Sequence, residues 1–449
     1  MDLLEQIKAA GVVGCGGAGF PTHVKLAAQG IDTLIINAAE CEPLLRTDRW
    51  IMVHEPAALV AAVAAVRARL GAGRAVIALK ETYTAETAAL QTAIAAAGAS
   101  VELVHMRSFY PAGDEQVVVY EVTGRVVPPA GLPLDVQCVV SNVATMLAVH
   151  NAAQGRPFTQ KYLTITGAVP RPCVLKAPVG MSFADCLTLA GGSLEDDYIV
   201  VSGGPMMGKP FTKEEAAHLF VTKTTSGFLV LPSTARLWQN HVTPTNHIRN
   251  RAKSACIQCS FCTQLCPRYL LGHPLETHKI MRRAAGARPL KDQLDDPVIR
   301  SAQFCCECGV CELVACPMQL QPRKINVMIK HMLAQQGVRP QKGACGLQPR
   351  PHREERKLPT GKAANRAGVG KFYHTEPQAF LKAQPKRVCI ALGSHIGAPA
   401  LPIVQPGDKV VLGQVVAMAQ EGKLGADYHA SVAGTVTSTD NGVVIDTFF

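Results

Sequence analysis

Apolar and polar positions alternate with two different periods along the first third of the chain. The pattern predicts, in chain order, a helix over 2–10, a strand over 33–37, a helix over 54–70, a strand over 74–80, a helix over 85–97, a strand over 101–104 and a helix over 142–153. Strands that alternate with helices of this length indicate a parallel sheet covered on both faces. We therefore predict an α/β domain over residues 1–155.

The pattern changes after residue 155. Two short strands, a helix and a further strand follow, over 161–169, 173–178, 183–189 and 198–202. This order predicts a small β-grasp-like domain over 156–245. Residues 246–340 have a helical pattern and hold most of the cysteines, whereas 387–449 consists of short apolar runs separated by Gly and Pro. The last region predicts an all-β barrel or sandwich.

The composition narrows the class of protein. The 449 residues are 48% hydrophobic and 18% charged, as in globular proteins. No apolar stretch approaches the roughly 18 residues that a membrane helix needs. The first residues include acids where a secretory signal would have a basic segment and an apolar core. We expect a cytosolic protein without direct membrane insertion.

The net charge of +11 is unevenly distributed. Eleven Lys or Arg and only three acidic residues lie between 341 and 387. A basic region raises the question of nucleic-acid binding. This one has low hydrophobicity and no aromatic residues within its basic core, so we predict a solvated basic linker over 341–386 and no nucleic-acid partner.

Nine of the 16 cysteines lie between residues 256 and 316. Because a reducing cytosol disfavours disulfides, this density indicates metal or redox chemistry. Two runs, C-x2-C-x2-C-x3-C-P and C-x2-C-x2-C-x4-C-P, have the spacing of bacterial ferredoxins. Structural zinc is the alternative, but it prefers two separated pairs of ligands. The predicted iron ligands are Cys256, Cys259, Cys262, Cys266, Cys305, Cys308, Cys311 and Cys316.

In such paired runs, the last cysteine of each run binds the cluster of the other run. One [4Fe–4S] cluster is therefore assigned to Cys256, Cys259, Cys262 and Cys316, and the other to Cys305, Cys308, Cys311 and Cys266. The second run has one extra residue before its last cysteine. Cys306 belongs to neither set of four, and we interpret it as a buried cysteine that does not bind a cluster.

A glycine-rich segment, Gly-Cys-Gly-Gly-Ala-Gly-Phe-Pro-Thr, follows the first predicted helix. It contains a G-x-G-x-x-G match, but a dinucleotide fingerprint requires a preceding strand, so an ordinary Rossmann site is rejected. Its glycines still permit close backbone approach, and a helix starting near Phe20 would attract phosphate. Lys25 would lie in the first turns of that helix. A plain glycine-rich turn is the alternative.

The segment Asn37-Ala-Ala-Glu40-Cys-Glu42-Pro directly follows a predicted strand. Open α/β sheets bind ligands at the carboxyl ends of their strands. An asparagine and two acids there suit ribose hydroxyls or the edge of a flavin ring. Alone they would indicate a solvated loop, but beside the glycine segment they indicate a site.

These two segments, with Ser202-Gly-Gly-Pro-Met-Met-Gly208, resemble the RnfC family of electron-transfer subunits and the flavin subunit of respiratory complex I. With the cysteine runs and the final barrel, the whole chain is most similar to the cobalamin reductases of propanediol-utilisation microcompartments. RnfC proteins carry the barrel at the N-terminus, whereas here it comes last.

The resemblance implies a bound FMN, NADH as electron donor, two [4Fe–4S] clusters, a β-grasp domain of the SLBB type and a lipoyl-like barrel-sandwich hybrid. It places flavin phosphate and nucleotide on Gly14, Gly16, Gly17, Gly19 and Lys25. It places the nicotinamide–flavin pocket beside Asn37, Glu40 and Glu42. We expect the barrel to be structural, with Lys423 unmodified and neither His395 nor His429 bound to cobalt.

The implied function is stepwise reduction of cobalamin from Co(III) through Co(II) to Co(I), which reactivates a B12-dependent diol dehydratase system. Cobalamin would be the acceptor, and an adenosyltransferase and microcompartment shell proteins would be partners inside the cytoplasm. A non-catalytic RnfC-like relay subunit is the alternative. A nucleic-acid enzyme with iron–sulfur clusters is a third hypothesis, which the flavin-type loop disfavours.

Overall fold

The computed structural model describes residues 2–448. Residues 2–155 form a parallel four-stranded sheet with helices on both faces, and its strands lie in the order Glu102–Met106, Arg74–Lys80, Thr33–Ala38 and Cys138–Asn142. The elements are α1 Leu3–Ala9, α2 Thr22–Lys25, β1 Thr33–Ala38, α3 Thr47–His54, α4 Pro56–Leu70, β2 Arg74–Lys80, α5 Thr84–Ala97, β3 Glu102–Met106, β4 Phe109–Tyr110, α6 Glu115–Thr123, β5 Cys138–Asn142 and α7 Val143–Ala153.

The central strand β1 is buried on both faces, as the apolar run predicts. Leu34 and Ile36 pack into one core and Ile35 packs into the core on the opposite face. The predicted helix over 54–70 is confirmed as α4, which Pro56 starts, whereas α3 was not predicted, and the axis bends by 94° between the two helices. Within the described residues, no single helix is long and apolar enough to cross a membrane, although this bent pair taken together has the necessary length and composition.

The second unit has a mixed sheet in which β7, β6, β10, β8 and β9 are neighbours in that order. Its elements are β6 Gln160–Gly167, β7 Cys173–Pro178, α8 Phe183–Leu189, β8 Tyr198–Ser202, β9 Lys209–Thr212, α9 Lys213–Ala216 and β10 Gly227–Pro232. The predicted hairpin, helix and strand are present. The side chain of Ser182 caps α8 by accepting from the Asp185 amide, and Phe183 stacks on Phe228 in the core.

The cysteine-rich region is helical, as predicted. Its helices are α10 Arg236–Val242, α11 Thr245–Ala255, α12 Phe261–Gln264, α13 Pro267–Leu270, α14 Thr277–Ala285, α15 Pro297–Arg300 and α16 Pro322–Gln335, together with a π-helix over Val310–Ala315. Helices α11, α14 and α16 share one apolar core through residues such as Ile248, Ile280 and Ile329.

The prediction of a solvated linker over 341–386 is wrong for much of this segment. It forms β11 Leu358–Pro359, α17 Thr360–Arg366 and β12 Ala379–Lys382. Strand β11 pairs with β4, and β12 pairs with β7 and extends the β-grasp sheet. The basic residues of this segment wrongly predicted exposure to solvent, because some of them are buried in ion pairs. Arg353 and Lys357 both contact Glu121, and all three side chains are at most 11% exposed.

The C-terminal region is all β, as predicted. Two small antiparallel sheets enclose a core that includes Val388, Val416 and Ile445. The strands are β13 Arg387–Ile390, β14 Leu401–Pro402, β15 Lys409–Val410, β16 Val415–Met418, β17 Tyr428–His429, β18 Gly434–Ser438 and β19 Val443–Thr447. A sequence pattern of short runs broken by Gly and Pro thus corresponds to short strands joined by tight turns.

Candidate functional site: a glycine loop joined to two cysteine loops

The glycine segment is a loop closed at its base and open at its tip. Val13 and Pro21 form an isolated bridge, and the Gly14 amide donates to the Phe20 carbonyl at 2.9 Å. At the tip, Gly17 has a φ of 143°, and a Cβ built there would meet no atom within 4 Å. The loop therefore presents exposed backbone with no side chain above it.

Two other glycines of the loop face neighbouring parts of the chain. A Cβ on Gly16 would lie 3.3 Å from the Asn142 Cβ, so a side chain would fill the groove between the loop and the end of β5. Gly19 has a φ of 72°, and a Cβ there would lie 2.9 Å from Thr224 and 3.0 Å from the backbone of His395. Glycine at position 19 lets the β-grasp domain and the barrel touch the loop.

Lys25 lies in α2, which is a single turn and not the longer helix that the sequence predicts. Its Nζ is 3.0 Å from Glu115 Oε1, and both side chains are more than 30% exposed. The sequence reasoning missed Glu115. The signal was present, because Gly-Asp-Glu follows β4, and Asp114 caps α6 by accepting from the Gln116 and Val117 amides.

Asn37 lies at the carboxyl end of β1, as predicted, directly opposite Asn142 of β5. Its Nδ2 donates to the Gly113 carbonyl at 2.8 Å. Asn142 was also missed: its Oδ1 accepts from the Ala144 amide and caps α7, while its Nδ2 donates to Asp48 Oδ2 at 2.6 Å. The glycine loop, Asn37 and Lys25 thus converge on one edge of the sheet.

Glu40 caps a helix. Its two carboxylate oxygens accept from the amides of Asp48 and Arg49 at 3.0 and 3.1 Å, at the start of α3. Burial raises the pKa of Glu40 to about 7, and the nearby Asp48 carboxylate adds to the rise. Its role beside a nicotinamide–flavin pocket stays a prediction.

Glu42 links the sheet edge to the β-grasp domain. Its Oε2 accepts from the Met206 amide at 2.9 Å, and a Cβ on Gly204 would overlap the Glu42 carboxylate. The second and third sequence motifs are therefore in contact. Burial raises the pKa of Glu42 to about 7, and its Oε1 is buried without a hydrogen-bond partner.

These features fit a flavin mononucleotide. Exposed glycine amides and a lysine are the donors that phosphate prefers. The open position above Gly17 leaves space at the loop, and the unpartnered Glu42 Oε1 is a free hydrogen-bond acceptor. The predicted residues stay candidates for holding FMN, with Asn142 beside Gly16 and Glu115 beside Lys25.

The two cysteine loops have the same backbone conformation. Gln258 and Ser260 have φ values of 55° and 61°, and the equivalent Glu307 and Gly309 have 60° and 78°. Left-handed residues turn amide groups toward the loop centre, and the Glu307 amide lies 3.4 Å from Cys305 Sγ. Backbone amides that surround thiolates are typical of iron–sulfur sites.

The grouping of the cysteines into two quartets stays a prediction. Burial raises the pKa of Cys262 to about 12, and Cys316, Cys259 and Cys256 add to the rise. Burial also raises the pKa of Cys266, where Cys305 and Cys306 add to the rise. We call Cys256, Cys259, Cys262 and Cys316 the outer quartet, and Cys266, Cys305, Cys308 and Cys311 the inner quartet.

The structure does not bring the cysteines together as a single-ion site. Within residues 2–448, no three His, Cys, Asp or Glu side chains converge closely enough to hold one metal ion. The assignment of two cubane clusters to the two quartets stays a prediction.

The extra residue of the second run has a structural reason. Residues Val310–Ala315, which include the third cysteine of the run and end directly before the fourth, form a π-helix. A π-helix accommodates one more residue per turn than an α-helix. The Sγ of Cys316 accepts from the Leu320 amide at 3.3 Å, and its place in the outer quartet stays a prediction.

The inner quartet lies against the edge of the parallel sheet where the glycine loop and Asn37 lie. We call this edge the flavin-side edge. The buried Tyr110 hydroxyl donates to the Cys308 carbonyl at 2.7 Å. Arg268, two residues after Cys266, forms an ion pair with Asp114 at 2.9 Å, and both side chains are 11% exposed. Sequence reasoning missed Tyr110, Arg268 and Asp114, because these contacts join segments more than 150 residues apart.

The barrel closes over the base of the glycine loop. The Ile396 amide donates to the Gly19 carbonyl at 3.1 Å. Lys223 is fully buried, and its Nζ donates to the carbonyls of Gly11 and Asp427, both at 2.6 Å. One lysine of the β-grasp domain thus joins the first and last domains.

The structure shows the surroundings of the three barrel residues that were considered for modification or cobalt binding. Lys423 is exposed, and its Nζ donates to Gln420 at 2.7 Å. Both ring nitrogens of His395 have partners, namely the Tyr428 hydroxyl and the Ala398 carbonyl. His429 is 4% exposed, and burial lowers its pKa to about 4.

Family models match all four domains. A Nuo51 FMN-binding domain matches residues 7–151, an SLBB domain 162–210, a 4Fe-4S dicluster domain 255–321 and an RnfC barrel sandwich hybrid domain 371–446. The predicted fold class is confirmed. Together with the site, these matches define a flavin and iron–sulfur electron-transfer protein.

Curated relatives narrow this class. The cobalamin reductase PduS of Citrobacter freundii is 41% identical over 96% of this chain and 93% of its own length. The PduS of Salmonella typhimurium is 40% identical over 97% and 94%. The chain belongs to this PduS family, and the resemblance seen in the sequence is confirmed.

A third relative extends over a shorter region. It is a component of the proton-translocating ferredoxin:NAD(+) oxidoreductase complex of Clostridium ljungdahlii, and it is 34% identical over 60% of this chain and 56% of its own length.

Proposed function

We propose that the protein is an NADH-dependent cobalamin reductase that reduces Co(III) to Co(II) and then to Co(I). Near full-length similarity to two cobalamin reductases supports this proposal. One observation carries its electron route: Tyr110 and Arg268 fasten the inner cysteine quartet to the edge of the sheet where the glycine loop lies.

The flavin-side residues have separate tasks in this proposal. When bound, FMN takes two electrons from NADH together and releases them singly, which nicotinamide does not do. The amides of Gly14, Gly16, Gly17 and Gly19, with Lys25, would bind its phosphate, and Asn37 would orient the ring edge. Glu40 and Glu42 would stay protonated for part of the time near neutral pH, since burial raises the pKa of each to about 7.

Two [4Fe–4S] clusters would be held by the inner and outer quartets. Cys266 and Cys305 of the inner quartet and Cys256 and Cys316 of the outer quartet line the same apolar core. The quartets are therefore adjacent, which supports a relay of single electrons from the flavin side through the inner quartet to the outer one.

We also propose where the protein works. Membership of the PduS family supports a place within a propanediol-utilisation microcompartment, where the product would serve a B12-dependent diol dehydratase system. An adenosyltransferase that consumes Co(I), and shell proteins, would be its partners there. A pull-down from cells that express or lack the microcompartment genes tests these partners.

The central test is an anaerobic NADH titration of protein reconstituted with FMN and iron. We expect the flavin and cluster absorption bands to bleach, and added hydroxocobalamin then to give Co(II) and trapped Co(I). Bleaching without cobalt reduction would favour the non-catalytic relay subunit, which the similarity to a component of an oxidoreductase complex supports. An absence of bleaching would contradict the NADH site itself.

A further inference from the structure

The two cysteine quartets lie at different depths. In the inner quartet, Cys266, Cys308 and Cys311 are buried and Cys305 is half-buried. All four cysteines of the outer quartet are half-buried. Because the inner quartet contacts the flavin-side edge, the outer quartet is the one nearer to solvent at the end of the relay.

Exposed apolar side chains mark the outer loop. Between residues 246 and 340, two large hydrophobic side chains are exposed, Ile257 at 61% and Phe261 at 49%. Both belong to the outer cysteine loop, on either side of Cys259. Grouped apolar exposure at a redox centre indicates a contact surface, since single exposed apolar residues are normally scattered.

Positive charges border the same loop. Arg251 is exposed, and its Nη2 donates to the Met318 carbonyl at 3.0 Å, two residues beyond Cys316. Lys253 is exposed three residues before Cys256. We call Ile257, Phe261, Arg251 and Lys253 the exit face.

We propose that the exit face is the docking site of the corrinoid acceptor. The inference rests on the proposed function and specifies the place where that function ends. The flat corrin ring would lie on Ile257 and Phe261, and the phosphodiester of the nucleotide tail would be near Arg251 and Lys253. Two apolar side chains suit one planar ligand, whereas a stable protein interface needs about 800 Å² on each partner.

The electron balance is simple. Cobalt gains one electron at the exit face and passes from Co(III) to Co(II). The cluster that the outer quartet would hold beside the exit face loses that electron. NADH, through the flavin side, supplies the replacement. A second transfer takes Co(II) to Co(I), and no covalent bond forms between protein and corrinoid.

The first experiment measures binding without turnover. Equilibrium dialysis of hydroxocobalamin against the reconstituted protein, without NADH, gives a dissociation constant for the wild type and for an Ile257→Ser, Phe261→Ala double variant. We expect this constant to rise about tenfold, because apolar contacts are lost. Leu194→Ser, at a residue 65% exposed in the β-grasp domain, is the matched control and should leave it unchanged.

The second measurement separates binding of the corrinoid from electron transfer between NADH and the clusters. NADH should bleach the flavin and cluster bands of the double variant as in the wild type, while the rate of Co(II) formation falls about tenfold at subsaturating hydroxocobalamin. If NADH bleaches neither protein but the difference in dissociation constant persists, the proposed function fails and the docking site stands. An unchanged dissociation constant, or no binding to the wild type, overturns the inference and favours a protein acceptor.

A charge variant keeps the inference testable if the apolar variant loses its clusters. Arg251→Gln with Lys253→Gln should weaken binding of hydroxocobalamin several-fold and leave binding of dicyanocobinamide, which lacks the phosphodiester, unchanged. Equal binding of hydroxocobalamin by variant and wild type overturns the predicted contact.

Discussion

The inner and outer cysteine loops have nearly the same sequence spacing and the same backbone turns, yet their surroundings differ. The inner loop is held by Tyr110 at Cys308, and Cys266, which completes the inner quartet, is followed by Arg268 in an ion pair with Asp114. The outer loop carries exposed Ile257 and Phe261. Two copies of one motif thus have different surroundings, since a motif specifies ligands but not the residues packed around them.

The largest expected effect comes from removing one ligand of each quartet. Cys308→Ser and Cys259→Ser should each lower the iron content from about eight to about four atoms per chain. Both should reduce cobalamin reduction by at least about 100-fold. Only Cys259→Ser should leave a cluster signal that NADH can reduce, as measured by electron paramagnetic resonance. Reduction of the remaining cluster in both variants would contradict the inner–outer order.

The next effect is on stability at the inner loop. Arg268→Met leaves Asp114 buried without its cation, and removal of one partner of a buried ion pair costs about 3–5 kcal/mol. We expect a clear fall in the free energy of unfolding, measured by urea denaturation monitored by circular dichroism. The control is Arg300→Met, whose partner Asp295 is 99% exposed and should contribute about 0–1 kcal/mol. Equal losses would contradict the buried character of the inner contact.

A pH dependence follows from Glu42. Burial raises its pKa to about 7, so between about pH 4.5 and 7 the folded state holds a proton that the unfolded state has lost. This carboxyl therefore lowers stability as pH rises through that window, and its effect levels off above pH 7. Glu42→Gln should reduce this fall and be more stable than the wild type at pH 8 by about 1–2 kcal/mol.

The measurement is the melting temperature at pH 5, 6, 7 and 8. Glu214→Gln, at an exposed carboxylate of the β-grasp domain, is the control and should retain the wild-type profile. A Glu42→Gln profile that coincides with the wild type would show that this carboxyl does not titrate in the window.

The smallest expected effect is the loss of one hydrogen bond. Tyr110→Phe removes the donor to the Cys308 carbonyl and should cost about 1 kcal/mol. We expect the signal of the inner cluster to change in redox titrations while that of the outer cluster stays the same. A change confined to the outer cluster would place Tyr110 beside the wrong quartet.

The local parts of the molecule could be predicted from the sequence. The strands at 74–80 and 173–178 and the helix at 183–189 lie where the apolar pattern places them. The dicluster domain was also predictable from the ferredoxin spacing of its cysteines, and the assignment of each thiol to a cluster stays a prediction. These features depend on residues close together in the chain.

Contacts between distant segments could not be predicted in this way. The sequence predicted Lys357 to be one exposed charge of a basic linker. In the structure it forms a buried ion pair with Glu121, which lies 236 residues away in the chain. Glu42 appeared as a flavin-pocket acid, whereas its hydrogen-bond partner is the Met206 amide of another domain. No periodicity or short motif carries information about such partners.

The contact between the barrel and the glycine loop has a consequence for the order of the domains in the gene. The barrel is held by noncovalent contacts, among them Ile396 with Gly19, Asp427 with Lys223 and Ser431 with Val179. A barrel encoded before the flavin domain could make the same contacts. Chain order is therefore free to change during evolution while the assembled surface is retained, and a circularly permuted gene that encodes the barrel first should yield the same fold.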